Sequence, residues 1–226
     1  MSRRLVNLTL DTLVDLPHPC RECVVWELEP REAADPCAAD PALEKEAWVS
    51  QTLLEWGGCG KLAYVDDVPA GYVIYAPPSY LPRAGSFPTA PASPDAALLA
   101  NAHVAPGYAG RGLGRMLVQA AAHDLARRGV RALEAFGHTG RTGAPDQTGA
   151  PDRCVAPAEL FVAVGFKTVR PHPRYPRLRL ELRSARAWRA EVEHALEQLL
   201  DAVPVAGAAG SGVPASAGAG RGERRP

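Results

Sequence analysis

The chain lacks a long hydrophobic run and an excess of either charge. No apolar stretch approaches the roughly 20 residues of a membrane-spanning helix, so no membrane partner is expected. Lys plus Arg number 25 and Asp plus Glu number 25. That balance leaves no global field to draw the protein to nucleic acid or an anionic surface. Ser2-Arg3-Arg4 supplies the paired arginines of an export signal, but Asn7, Thr9, Asp11 and Asp15 follow where an apolar core is needed. The expected location is cytoplasmic, where the five cysteines are expected to be reduced thiols.

Two nucleotide signatures are missing as well, and their absence matters because the central stretch invites them. Leu98 to Val104 is apolar and of strand length, and it breaks at Pro106-Gly107. Gly110-Arg111-Gly112-Leu113-Gly114 follows, and then Leu113, Leu117, Ala121 and Leu125 recur at every fourth position, on one face of a helix that should stop at Gly129. Strand, glycine turn and helix make an anion site. The first amides of a helix have no partner inside it, the helix dipole places partial positive charge there, and glycines let a phosphate approach the backbone. A mononucleotide loop needs Lys-Ser or Lys-Thr after the last glycine, but Arg115-Met116 stands there. A dinucleotide fold needs G-x-G-x-x-G. Counted from Gly110 the last position is Arg115, and from Gly112 it is Leu117, although Glu134 lies at a suitable distance for a ribose contact.

A third cofactor class fits the turn. Val104-x-Pro106 followed by Gly110-Arg111-Gly112-Leu113-Gly114-Arg115-Met116-Leu117 resembles the acetyl-CoA signature of the GNAT superfamily of N-acetyltransferases. That signature is Arg or Gln, two residues, Gly, one residue, then Gly or Ala. Gly112 and Gly114 match it, while Ala109 stands at the leading position. A second segment, Ala158 to Gly165-Phe166, resembles the family's Ala-x-x-x-Tyr-x-x-x-Gly-Phe, with Phe161 in place of the tyrosine. The resemblance spans roughly Arg4 to Arg183 in element order. It implies an α/β (α+β) GNAT fold: a mixed, mostly antiparallel sheet splayed at a central parallel strand pair, flanked by helices.

The rest of the chain reads in that order. Arg4 to Leu10 is an expected strand, and Asp11 an expected cap for a helical turn to Leu16. Cys20 to Leu28 carries Cys20-x-x-Cys23. One such pair, even with His18 and Cys37 nearby, is short of the four ligands of a zinc site, so no metal is assigned and the thiols are expected to pack beside an apolar segment. Asp40-Pro41 predicts a helix start, with a stop at Gly57-Gly58. Lys61–Val65 and Ala70–Tyr75 read as strands joined by a hairpin turn. Ala76 to Asp95, rich in proline, is expected as a surface loop; the alternative is a cover over an acceptor pocket that presents Tyr75, Tyr80 and Phe87. Arg131–Phe136 predicts a strand, residues 137–152 a loop, Pro157–Val164 a helix, and Lys167–Val169 and Arg177–Leu182 two final strands. Lys167, Arg170, Arg174, Arg177, Arg179, Arg183, Arg186 and Arg189 form the one local basic region, read as a solvated face diluted by Glu181, Glu191 and Glu193. Residues 1–183 make the predicted transferase domain. Residues 184–203 predict an extra C-terminal helix that completes the core or contacts a second copy in a homodimer. Residues 204–226, rich in Gly, Ala, Ser and Pro, predict a disordered tail.

The resemblance also implies chemistry. A bulge in the Leu98–Val104 strand would part it from its parallel neighbour. The pantetheine arm would lie along Ala102, His103 and Val104 like an added strand. The pyrophosphate would sit on the amides of Ala109, Gly110, Arg111, Gly112, Leu113, Gly114 and Arg115. The implied reaction moves acetyl from acetyl-CoA to a primary amine, on a small molecule or a peptide, by direct attack on the thioester. The amine must lose a proton, and the departing thiolate benefits from an acid. Phe161 has no proton to give. Tyr175 is the expected acid, with Cys154 and His172 as the other candidates, and Glu27 is the candidate base if a strand edge carries it to the cleft. The alternative is a catalytically degenerate protein that binds CoA or serves as a scaffold on the same fold.

Overall fold

The computed structural model describes residues 2–29, 40–140 and 154–182. Cys37, most of the predicted 137–152 loop, the predicted helix 184–203 and the predicted tail 204–226 lie outside them.

Local chemistry sets the element ends. Strand β1, Arg3–Asn7, runs into a single helical turn, α1, Leu10–Leu13. Its cap is Thr9, two residues before the expected Asp11: Thr9 and Thr12 bond reciprocally across the first turn. Helix α2, Pro41–Trp56, begins where Asp40 accepts the Ala42 N–H at 3.0 Å and ends at Gly57, whose φ of +85° only glycine adopts readily. Strands β2, Gly60–Val65, and β3, Val68–Ala76, meet in a tighter hairpin than expected. Asp66 and Asp67 alone make the turn, both at positive φ, which matches the right-handed twist of the strands.

Strand β4, Ala96–Val104, leads through the glycine turn into helix α3, Leu113–Arg127. Then come β5, Ala132–Phe136, α4, Ala158–Val164, β6, Lys167–Arg170, and β7, Arg177–Glu181. One seven-stranded sheet results, ordered β1-β2-β3-β4-β5-β7-β6. Among the described strands β4 and β5 are the one parallel pair, and the other strand pairs are antiparallel.

The sheet separates two cores. On one face Leu113, Leu117, Ala121 and Leu125 of α3 are buried with Val73, Tyr75, Leu99, Leu133, Phe161 and Phe166. Each buried leucine contributes roughly 1.5–3 kcal/mol, and together they fix α3 against the sheet. On the other face Trp48 and Val49 of α2 pack with Trp26, Leu62, Tyr72, Ile74, Leu98 and Phe136.

Two expectations give way here. The condition set on Glu27 is not met: Cys20–Leu28 forms no strand edge, and a 3-10 turn over Cys20–Glu22 leads into further turns. The Pro-rich segment 77–95 is not a plain surface loop either. Leu81 and Phe87 are buried, and Phe87 stacks between Trp26 at 5.2 Å and Phe136 at 4.5 Å. The prolines limit the segment to short 3-10 turns over Pro78–Tyr80 and Pro82–Ser86, but an apolar side chain still gains by leaving water, so Leu81 and Phe87 fold down onto the core. Tyr75 points to the opposite face, where its hydroxyl donates to Asp124 of α3 at 2.9 Å.

Candidate active site

The central pair of strands forks. β4 and β5 stay in register from Ala96–Ala132 to Leu99–Ala135 and pair no further. On its other side β4 continues along β3, from Asn101 opposite Ile74 to Val104 opposite Gly71. Between these regions Ala100 is an extra residue, because Tyr75 faces Leu99 while Ile74 faces Asn101. That bulge turns β4 away from β5.

Pairing parity then says which backbone groups are open. Ala105 donates to the Ala70 carbonyl at 2.9 Å. In an antiparallel ladder hydrogen-bonded pairs alternate, so His103 and Asn101 bond to β3, while Ala102 and Val104 turn their N–H and C=O groups toward the fork. Their side chains pack on the α3 face. Those of Asn101 and His103 lie on the α2 face: Asn101 Nδ2 donates to the Tyr72 hydroxyl at 2.9 Å, and the His103 ring lies 5.6 Å from the Tyr72 ring. Burial holds His103 below the ordinary imidazole pKa, so the ring is neutral at pH 7.

The far wall of the fork continues β5. Gly137 N–H donates to the Pro176 carbonyl, His138 N–H to Ala156, and Ala158 N–H back to His138. Gly137 has no room for a side chain: a Cβ there would meet Ala158 at 2.8 Å.

The glycine turn lies at the open end of β4. Gly110 and Gly112 hold φ of +74° and +79°, and a Cβ on either would project into open space. The Ala109 N–H is used within the turn, donating to the Pro106 carbonyl. The N–H groups of Gly110, Gly112, Leu113, Gly114 and Arg115 bond to no described residue, and the first intrahelical bond is that of Met116 to the Gly112 carbonyl. A shallow depression beside them is lined by Arg3, Val65, Tyr108, Arg111 and Leu113, and Arg115 is exposed on the first turn of α3. Open amides, a helix N-terminus and nearby arginines fit a diphosphate. Arg3 was not legible as part of this site, since it enters from β1, the far edge of the sheet.

The remaining residues predicted for the site do not converge on one point. Tyr175 is buried in the loop just before β7; its ring meets Phe87 edge-on at 5.5 Å, and its carbonyl accepts the Thr89 hydroxyl at 2.9 Å. Its position on the α2 face is the face that Asn101 and His103 present. His172 Nδ1 accepts the Tyr175 N–H at 3.0 Å and so shapes that loop. Cys154 is buried with its sulfur 3.9 Å from that of Cys23. Glu27 is also buried, but its carboxylate is engaged by the Lys45 ammonium and by the Trp26 N–H. Phe161 lies in the α3-side core, 5.3 Å from Phe166.

Two apparent signals resolve into structure. Glu134, placed by sequence at a ribose-binding distance, is fully buried and held by Arg177 at 3.2 Å and Arg179 at 3.1 Å. Arg179 also binds Asp95 through two nitrogens at 3.0 Å. Two arginines of the basic region, Arg177 and Arg179, are therefore spent on internal carboxylates. Among the described residues no cluster of three or more His, Cys, Asp or Glu side chains is set to hold a metal ion, and no helix is long and apolar enough to cross a membrane.

This architecture has known counterparts. Among solved structures the chain is similar to the PaiA N-acetyltransferase from Thermoplasma acidophilum in complex with coenzyme A, at 14% identity and a TM-score of 0.50, over 80% of this chain and 99% of that one. It is similar to an N-acetyltransferase from Staphylococcus aureus Mu50 at 13% identity and a TM-score of 0.50, over 81% and 100%. Likeness at such identities concerns the fold. No curated protein sequence matches the chain. The profile of the Acetyltransferase (GNAT) family matches residues 20–145, more than half of the chain. With the forked sheet and the open glycine turn, that match makes the protein a member of the GNAT acetyltransferase family, whose chemistry is acyl transfer from acetyl-CoA.

Proposed function

We propose that the protein transfers an acetyl group from acetyl-CoA to a primary amine, on a small molecule or a peptide, by direct attack. The observation that carries this proposal is the row of open amides at Gly110 and Gly112–Arg115 standing at the mouth of the β4–β5 fork. The cosubstrate supplies an activated thioester. The chain supplies everything else. The glycine-turn amides and the flanking arginines hold the diphosphate. Ala102 and Val104 offer the edge of β4 to the amide groups of the pantetheine arm. The α2 face of the fork receives the amine, and its polar floor is Tyr72, Asn101 and His103. Neutral His103 accepts the amine proton, directly or through water, because Glu27 is committed to Lys45. Tyr175 is the proton donor to the departing sulfur.

Phe161 favours a second reading, a protein that binds CoA without turning it over, since the family's usual proton donor is replaced by a ring in a dry core. Two experiments separate these readings. Calorimetry with acetyl-CoA is expected to show binding under both, and no binding at millimolar cosubstrate overturns both. Thiol release in the presence of an amine panel is expected only from the transferase; cosubstrate binding with no release for any small amine or peptide N-terminus would favour the second reading.

A further inference from the structure

The sequence offers Cys20-x-x-Cys23 as a thiol pair, but the fold divides it. Cys20 packs against the α2-side core. Cys23 instead faces Cys154, 131 residues away, with the two sulfurs 3.9 Å apart and both thiols reduced. The backbones on either side are clamped: Lys45 Nζ donates to the Cys23 carbonyl at 3.0 Å, and Trp26 Nε1 donates to the Cys154 carbonyl at 2.8 Å. These clamps hold the two backbones from which the opposed sulfurs project.

Their exposure differs in a useful way. Cys23 is half-buried and within reach of a small molecule, whereas Cys154 is buried. The charged and titratable groups facing Cys23 are Cys154, Glu27 and Lys45. The Cys154 hydrogen bond is the largest influence and brings the Cys23 thiol down to about 6, against the opposing effects of burial and Glu27. Cys59 is the contrast: it is fully buried, and burial pushes its thiol up to about 12.

We propose that Cys23 and Cys154 are a reversible oxidation site, with Cys23 the attacking thiol and Cys154 the resolving one. The oxidant is a small-molecule disulfide. The Cys23 thiolate attacks one sulfur of it and expels the other half as a thiolate. The Cys154 thiol, on losing its proton, then attacks the Cys23 sulfur and expels the second half. One protein disulfide forms, one small disulfide is reduced to two thiols, and both protein thiol protons pass to the products. The new bond ties the Cys20–Leu28 segment to the chain entering α4, two residues before the Ala156 carbonyl that anchors the fork wall at His138. The site does not depend on the transferase assignment.

The test treats the native, reduced full chain with glutathione disulfide at pH 7.5, then maps peptides without reduction. Trypsin cuts at Arg21, Arg31, Arg153 and Lys167, so Cys20, Cys23 and Cys154 fall in different peptides. The expected product joins peptide 22–31 to peptide 154–167 and is released by dithiothreitol, and Cys23 is modified at least about tenfold faster than Cys59. Cys154→Ser is expected to stop at the mixed disulfide on Cys23, and Cys20→Ser to leave the crosslink intact. A crosslink between any other pair, a wild-type protein halted at the mixed disulfide, or no loss of thiols would overturn the proposal.

Discussion

Gly112→Val separates a cofactor cradle from an ordinary helix start. At φ +79° a residue with a Cβ is strained by roughly 1–2 kcal/mol. A domain of this size is typically stable by about 5–15 kcal/mol, so the variant stays folded, with a melting temperature lowered by about 4–8 °C at the upper end of that strain. The effect on binding is larger. The new side chain would project into open space that no protein atom occupies within 4 Å, where the diphosphate is placed. Losing two charge-assisted amide contacts at about 1.5–3 kcal/mol each weakens CoA by roughly two to four orders of magnitude. Gly129→Val is the matched control. Its φ is +78°, it too is open, and it stands at the other end of α3, roughly 25 Å away at 1.5 Å per residue. Calorimetry with CoA and a thermal melt on both variants suffice. Equal stability loss with binding abolished only in Gly112→Val is expected. Wild-type affinity in Gly112→Val, or the same loss in Gly129→Val, would refute the cradle.

Three further predictions concern the other face. Tyr175→Phe keeps the ring against Phe87 and is expected to lower turnover while sparing CoA affinity; wild-type turnover would remove the assigned proton donor. Lys45→Met leaves the Glu27 carboxylate buried and uncompensated, which should cost about 3–5 kcal/mol in urea unfolding. A loss below about 1 kcal/mol would show that the pair is not buried as described. Cys23 adds a pH dependence. Its thiol is held near 6 in the folded state against an ordinary value of 9.0, so the folded state carries the thiolate more readily. Its stabilising contribution is complete above about 9 and disappears as pH falls through about 6. The stability difference between wild type and Cys23→Ser should therefore grow from pH 6 to pH 9, and a flat difference would contradict the thiolate assignment.

What could be read from sequence was mostly local. Asp40-Pro41 and Gly57 bound α2 where capping chemistry puts its ends, and the fourfold spacing from Leu113 to Leu125 gave the buried face of α3. The position of the fork was legible only through resemblance, because a bulge at Ala100 leaves no mark in the hydrophobic pattern. Residues whose roles depend on a distant partner were not legible. Nothing near Cys23 announces Cys154, nothing near Glu134 announces Arg177 and Arg179, and nothing near Glu27 announces Lys45. In each case the partner comes from another element and long-range packing brings the two together. The Pro-rich segment misled for a related reason. Its prolines exclude α-helix and central strand and leave only short 3-10 turns, but they carry no information about Phe87, whose slot lies between Trp26 and Phe136, distant in sequence.

The claim beneath the functional assignment is that the open backbone amides of the glycine turn bind the diphosphate, with the flanking arginines adding charge. Amide proton–nitrogen NMR of the full chain titrated with coenzyme A tests it most directly. The largest shifts are expected at Gly110 and Gly112–Arg115, with Ala102 and Val104 responding to the pantetheine arm and Gly129 unmoved. Binding that leaves those glycine-turn amides where they were, or no binding at millimolar coenzyme, would contradict it.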